Sequence, residues 1–140
     1  MRRFNLFLWL LPSLLSTPVF SNPVNKSTVL VCYGKLDPAK IKGYNYVILE
    51  EKNFKTEEIT ILKKNNKNVL AYISLGEVNS NAIHYKILKN RTLGKNNNWD
   101  SYYLNLKDKT TPVVLMSLIK KVLDKGFDGL FLDNIDNFSS

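Results

Sequence analysis

The last part of the chain constrains the fold most, because it combines the signs of a buried strand with a carboxylate at the strand's tip. Residues 125–137 read KGFDGLFLDNIDN. Phe127 and the run 130–132 are apolar, which is typical of a parallel strand covered on both faces. Asp133 follows directly, where α/β enzymes place catalytic groups. We therefore predict an active-site strand, and its position at the end of the sequence predicts that the second half of the fold is absent.

The first 21 residues have the pattern of a secretory signal peptide. Arg2 and Arg3 form a charged start, residues 4–15 are mostly apolar, and residues 19–21 offer a small-x-small cleavage site. The apolar run is shorter than the roughly 20 residues that a membrane-spanning helix needs, so we expect no stable membrane anchor. The sequence predicts a signal peptide over residues 1–21, a secreted or periplasmic location, and one domain over residues 22–140.

The basic character of the chain does not indicate a nucleic-acid partner. Lys and Arg together number 20 against 12 Asp and Glu, which gives a formal net charge of +8. Nucleic-acid recognition relies on Arg for bidentate contacts, and the sequence has no Arg cluster. We interpret the charge as a solvated surface.

The cysteine and histidine content argues against disulfide, metal and cofactor chemistry. Cys32 is the only cysteine and lies in the apolar run 29–33, so we expect it to be buried and inert. His84 is the only histidine, and no Cys or His pair has the spacing of metal ligands. We expect no metal and no cofactor.

Apolar strand patterns and helix patterns alternate along the chain. The predicted strands are 29–33, 45–49, 69–74, 102–106 and 128–132. Helices are predicted between them, with Asp37 and Thr56 as N-caps and a helix followed by a loop in 79–98. This order favours a parallel sheet, either doubly wound or a (β/α)8 barrel. A complete barrel needs at least about 200 residues, so we predict an incomplete TIM-type barrel of about five βα units.

Acidic residues follow three of these strands. Glu50, Glu77 and Asp133 come after the second, third and last strands, and parallel strands bring such positions to one end of the sheet. Carboxylates that share a cleft separate in pKa, as acid/base pairs require. Asp133 is the predicted catalytic residue. Glu50 and Glu77 are candidates for substrate binding, although Glu50 could be a solvated loop charge and Glu77 could cap the helix that follows.

Further residues near the strand ends have competing interpretations. Tyr33 is a candidate for stacking on a sugar ring, whereas Tyr72 and Tyr103 are interpreted first as core residues. Asp136 is a substrate-binding candidate that could instead cap the following segment. Asp128 precedes the last strand and is interpreted as a turn residue at the opposite end of the sheet.

Ordered sequence blocks carry a resemblance to a known family. These blocks are Tyr33-Gly34, YVILE at 46–50, VLAYISLGE at 69–77, Trp99 with Tyr102 and Tyr103, and GFDGLFLDNID at 126–136. Over residues 29–138 the chain resembles glycoside hydrolase family 114, the endo-α-1,4-polygalactosaminidase-like proteins. The resemblance implies a (β/α)8 barrel that acts on galactosamine-containing or related amino-sugar polymers.

The resemblance also implies the catalytic roles of the carboxylates. Asp133 matches an Asp that acts in a retaining mechanism together with a Glu from a later strand, and that Glu would lie beyond residue 140. Two hypotheses follow. Either the chain is the N-terminal portion of a secreted glycoside hydrolase, or it is a truncated, inactive half-barrel that at most binds sugar. The expected partners are a polysaccharide and either a second copy of the chain or a separately encoded C-terminal half.

Overall fold

A computed structural model describes residues 26–135 of the protein. The predicted signal peptide and Asp136 lie outside the described residues. Within the described part, strands and helices alternate for most of the length. The elements are β1 (Val29–Cys32), β2 (Tyr46–Leu49), α1 (Thr56–Asn65), β3 (Val69–Ser74), β4 (Glu77–Asn79), α2 (Tyr85–Leu88), β5 (Thr92–Asn96), β6 (Ser101–Leu104), α3 (Thr110–Asp124) and β7 (Gly129–Asp133), with short 3-10 helices at Pro38–Lys40, Glu51–Asn53 and Lys89–Arg91.

Four strands form one parallel sheet in the order β1-β2-β3-β7. This confirms the predicted parallel α/β sheet and four of the five predicted strands, with ends that differ by one residue at most from the sequence-based bounds. The order follows the chain as in a barrel, so each strand neighbours the one before it in the parallel series. The sheet is therefore consistent with the first half of a (β/α)8 barrel.

The prediction of a fourth parallel strand at 102–106 was wrong. Residues 101–104 instead form the centre of a separate antiparallel sheet in the order β4-β6-β5. The sequence hides this sheet because β5 reads TLGKN, which lacks the alternation of a strand and contains a glycine. Gly94 adopts a φ of 153° at a break in the β5–β6 register, which only glycine tolerates without strain. The predicted helix in 79–98 is present only as the short α2.

The two faces of the parallel sheet differ in what covers them. Along β3, Val69, Ala71 and Ile73 are buried in the main core, together with side chains of α1 and α3. Leu70 and Tyr72 alternate with them and face the opposite side, which corresponds to the barrel interior. We call this opposite side the inner face. It carries Val29, Val31, Tyr46, Ile48, Leu70, Tyr72, Ser74, Gly129, Phe131 and Asp133, as the strand register and alternation require.

The expectation that residues 127–132 are buried on both faces was wrong for the end of the strand. Phe127 is buried, but Phe131 and Leu132 are 40% and 43% exposed. The cause is that β7 lies at the edge of the sheet, with β3 on one side and no strand of residues 26–135 on the other. Cys32 is likewise only half-buried at the other edge, packed against the main core.

Local signals at the helix ends agree only in part with the structure. Asp37 caps the first 3-10 helix, as predicted, by accepting a hydrogen bond from the Ala39 amide. The N-cap position of α1 is Lys55 rather than Thr56, and the Glu58 carboxylate accepts from the Lys55 amide in its place. Asp108 lies before α3 and accepts from the amides at its start, which lowers the pKa of this carboxyl, with the Arg91 charge contributing.

The antiparallel sheet has a hydrophobic cluster of its own, formed by Val78, Leu88, Leu104 and Leu115 of α3. The Leu104 amide donates to the Gly76 carbonyl at 2.8 Å, which fixes this sheet to the end of β3. Within residues 26–135, no helix has both the length and the apolar character needed to cross a membrane.

Candidate active site

The carboxyl ends of the parallel strands bring the four predicted site residues within 26–135 to one end of the sheet. Tyr33 follows β1, Glu50 follows β2, and Asp133 ends β7. Glu77 lies three residues beyond β3 at the same end. This is the edge at which barrel enzymes carry out catalysis.

Asp128 lies at the opposite end, as predicted for a turn residue. Its Oδ2 accepts a hydrogen bond of 2.8 Å from the Val69 amide at the start of β3, and its Oδ1 pairs with Lys63 Nζ at 2.8 Å. These contacts tie the start of β7 to the start of β3 and to the end of α1. Asp128 is therefore a structural carboxylate.

Asp133 is held by a hydrogen bond from the neighbouring strand. The Tyr72 hydroxyl donates to Asp133 Oδ2 at 2.5 Å. The pairing register sets Tyr72 opposite Phe131 and Ser74 opposite Asp133, so Tyr72 and Asp133 share the inner face two positions apart. The sequence-based interpretation of Tyr72 as a core residue missed this contact.

The surroundings of Tyr72 keep its hydroxyl protonated. Partial burial raises the pKa of Tyr72 well above its usual range, and the hydrogen bond to Asp133 and the negative charge of that carboxylate raise it further. Tyr72 therefore keeps its proton at neutral pH and donates it in the hydrogen bond to Asp133 Oδ2. The hydrogen bond also fixes the orientation of the carboxylate plane.

Two aromatic side chains contact the Tyr72 ring and extend the apolar surface around it. The Tyr33 ring meets the Tyr72 ring edge-on, with centroids 5.2 Å apart and planes at 87°. The Phe131 ring stacks on its other side at 6.2 Å. Tyr33 is 59% exposed, so it presents aromatic surface at the carboxyl end of the sheet.

The backbone at Asp133 is fixed by the residue that follows it. Asn134 has a φ of 56°, in the left-handed region that Asn tolerates better than most residues. Its side-chain amide donates to Ser74 Oγ at 3.0 Å, and Ser74 Oγ also accepts from the Glu77 amide. The Asp133 carbonyl accepts from the Leu75 amide at 3.0 Å. Asp133 is therefore positioned through both its side chain and its main chain.

Glu50 lies near this group but is occupied by local partners. Its Oε2 accepts from the Asn53 side-chain Nδ2 at 3.0 Å and its Oε1 pairs with Lys52 Nζ at 3.1 Å. Asn53 also donates to the Tyr33 carbonyl at 3.3 Å. The Glu50 charge is close enough to contribute to the raised pKa of Tyr72. Glu50 thus links the β1 and β2 ends of the cleft.

Glu77 is turned towards the antiparallel sheet. It is 9% exposed, and its carboxylate accepts from Ser101 Oγ at 2.5 Å and from the Asn96 side-chain Nδ2 at 3.2 Å. These bonds join β4 to β6 and β5. Within residues 26–135, no group of His, Cys, Asp and Glu side chains is arranged to hold a metal ion.

Together, the sheet and the carboxylate at its carboxyl edge define the chain as part of a TIM-type (β/α)8 barrel of the kind found in glycoside hydrolases. Residues 18–140 match the glycoside hydrolase family GH114, and the chain belongs to that family. The resemblance inferred from the sequence blocks is confirmed.

Three relatives illustrate the match. The glycoside hydrolase domain of PelA from Pseudomonas aeruginosa superposes with a TM-score of 0.71 at 26% identity, over 80% of this chain and 46% of that one. Ega3 from Aspergillus fumigatus, solved as a complex with galactosamine, gives a TM-score of 0.69 at 19% identity over 81% and 45% of the two chains, a likeness of fold. The uncharacterized protein MJ1477 of Methanocaldococcus jannaschii is 33% identical over 95 residues, or 64% of this chain and 28% of the relative. The chain thus spans less than half the length of each of these relatives.

Proposed function

We propose that the chain provides half of a glycoside hydrolase site for amino-sugar polysaccharides, with Asp133 as one catalytic carboxylate. The observation that carries this proposal is the Tyr72–Asp133 hydrogen bond at the carboxyl end of the parallel sheet, in a chain that belongs to a glycoside hydrolase family. A carboxylate that is oriented and half-buried at this position suits attack on, or charge stabilisation at, an anomeric carbon.

The amino-sugar substrate class is supported by chemistry at the same edge. An ammonium-bearing sugar would be attracted by the Asp133 carboxylate, and its ring can stack on the exposed Tyr33. The galactosamine in the Ega3 complex is a sugar of this class. Tyr33, Glu50, Glu77 and Asp136 remain the proposed substrate-binding residues.

Hydrolysis by the usual two-carboxylate routes needs a partner for Asp133. The carboxyl groups stand about 5–5.5 Å apart in retaining enzymes and about 6.5–9.5 Å apart in inverting ones. Among the described residues near the cleft, Glu50 is paired with Lys52 and Glu77 is hydrogen-bonded to Ser101. This favours, as the second candidate, a half-barrel that binds amino sugar without cleaving it.

The proposal includes export of the protein. Residues 1–21 have the features of a cleaved leader, and a polysaccharide substrate is met outside the cytoplasm. Western blotting of cell fractions for the tagged chain tests this point. Retention of the full-length form in the cytoplasm would contradict it.

The test of function is calorimetric titration of the purified chain with galactosamine oligomers, combined with an assay for new reducing ends. Asp133→Asn should abolish binding or weaken it at least tenfold, because the substitution removes the negative charge and keeps the shape. Asp124→Asn is the matched control, since Asp124 is exposed on α3 and paired only with Lys120 among the contacts described. Equal binding by all three proteins would refute the proposed site, and release of reducing ends would decide for hydrolysis over binding alone.

A further inference from the structure

Ser74 is the neighbour of the candidate catalytic carboxylate on the adjacent strand. It is the last residue of β3, and the pairing register sets it directly opposite Asp133 on β7. Because side chains alternate along a strand, both residues belong to the inner face of the sheet. Ser74 is only half-buried. Its position therefore makes Ser74 a neighbour of any group that binds at Asp133.

Two hydrogen-bond donors hold the Ser74 hydroxyl in one orientation. Its Oγ accepts from the Asn134 side-chain Nδ2 at 3.0 Å and from the Glu77 backbone amide at 3.2 Å. Asn134 directly follows β7, and Glu77 is the first residue of β4, which pairs with β6. Rotation of the Ser74 side chain would break both bonds at once. The rotamer of Ser74 is therefore fixed by its neighbours.

The two bonds leave only the proton of the Ser74 hydroxyl for a further partner. A serine hydroxyl has one proton and two acceptor lone pairs, and both lone pairs are engaged here. Within residues 26–135, no group accepts the Ser74 proton. A donor that is already fixed loses little conformational freedom when it binds an acceptor. Ser74 is thus a preorganised donor beside Asp133.

We propose that the Ser74 hydroxyl donates a hydrogen bond to a hydroxyl oxygen of the sugar bound at Asp133, a role that rests on the proposed function. The ammonium group of an amino sugar does not suit this position, because an ammonium only donates and both lone pairs of Ser74 Oγ are engaged. A sugar hydroxyl oxygen accepts. Ser74 is therefore a specificity residue, which orients the sugar and takes no part in bond cleavage.

A purely structural role for Ser74 makes a different prediction. In that role Ser74 only ties the turn after β7 to the start of β4, and water accepts its proton. Loss of the hydroxyl would then weaken the binding of every sugar by the same factor. Direct donation to the sugar instead makes the loss depend on one particular hydroxyl group of the ligand, so ligands that differ in single hydroxyl groups separate the two roles.

The experiment is calorimetric titration with methyl α-galactosaminide and with the three monodeoxy analogues that each lack one of its hydroxyl groups. Ser74→Ala should bind the parent sugar about three- to tenfold more weakly, as expected for one lost neutral hydrogen bond. One monodeoxy analogue should bind Ser74→Ala and the unchanged protein equally, because it lacks the accepting oxygen. Ser74→Thr keeps a hydroxyl and should retain most of the affinity. Ser117→Ala is the matched control, since Ser117 is exposed on α3.

Two further variants guard against an effect on folding. Asn134→Gly removes one donor to Ser74 but leaves the hydroxyl, so any loss of affinity should be the same for all four sugars. Ser74→Cys keeps the shape of the side chain with a weaker donor and should repeat the result of Ser74→Ala. Unchanged affinity in Ser74→Ala, or a loss equal for all four sugars, would overturn the role of Ser74 while the effect of Asp133→Asn still supported the proposed function. Failure of the unchanged protein to bind any of the sugars would refute both.

Discussion

The Tyr72 hydroxyl and the Asp133 carboxylate form a 2.5 Å hydrogen bond between side chains 61 positions apart in the sequence. The bond depends on the parallel register of β3 and β7, which sets Tyr72 two positions before the residue opposite Asp133. The bond therefore forms only when β7 pairs with β3 in this register. It also orients the Asp133 carboxylate.

Replacing Tyr72 should change the response of the protein to alkaline pH. The raised pKa of Tyr72 means that the unfolded chain loses this proton near the usual tyrosine pKa of about 10 while the folded chain keeps it. The free energy of unfolding should therefore fall as the pH rises above about 10. In Tyr72→Phe the fall should be shallower, as measured by urea unfolding from pH 8 to 11. Tyr46→Phe removes a hydroxyl from the same face and is the comparison; identical slopes would contradict the assignment.

The left-handed backbone at Asn134 should discriminate between alanine and glycine. Asn134→Ala loses the hydrogen bond to Ser74 and places a Cβ at a φ of 56°, which costs about 1–2 kcal/mol in the left-handed region. Asn134→Gly loses the same bond but tolerates this φ. We expect thermal unfolding to show Asn134→Ala as the less stable of the two. Equal melting temperatures would show that the backbone conformation is not strained.

Asp128 should matter for stability and not for sugar binding. Asp128→Ala leaves the Val69 amide without its acceptor and breaks the pair with Lys63, for an expected loss of about 1–3 kcal/mol. Asp124→Ala removes only an exposed pair with Lys120 and should cost about 0–1 kcal/mol. Chemical denaturation measures both. A loss of galactosamine binding in folded Asp128→Ala would argue against a purely structural role for Asp128 at the end of the sheet opposite the candidate site.

His84 should titrate below the usual histidine pKa of about 6.5, because burial disfavours its charged form. As the only histidine, it can be followed directly by NMR of the imidazole protons. The sign of the linkage is that the unfolded chain takes up a proton first as the pH falls, so stability decreases below about pH 6.5. His84→Gln should reduce that decrease. A midpoint at or above 6.5 would contradict the burial of this ring.

The parts of the fold that the sequence predicted are those with a strong local pattern. The strands around Val47, Ile73 and Leu130 are short apolar runs between helix signals, and such runs read as buried parallel strands. The antiparallel sheet escaped prediction because β5 has a polar sequence and gains its partners only through β6. Its strands are stabilised by contacts far along the chain, such as Ser101 with Glu77, rather than by local preference.

The candidate site was predictable to the same limited extent. Asp133 could be singled out because it follows an apolar run, a feature visible in one segment. The role of Tyr72 could not, because a tyrosine in a strand looks the same in the sequence whether it fills the core or holds a carboxylate. Only the β3–β7 register brings the two together.

The antiparallel sheet joined to the end of β3 divides the molecule into a scaffold and an attachment with separate cores. Its cluster around Val78 and Leu104 meets the rest of the chain mainly through Leu115 of α3 and Leu75. Leu93 and Lys95 are exposed on β5, which pairs only with β6 among the described strands, so we expect substitutions there to have little effect on the parallel sheet. We expect that the attachment can be redesigned as a unit while the scaffold that carries Asp133 stays constant.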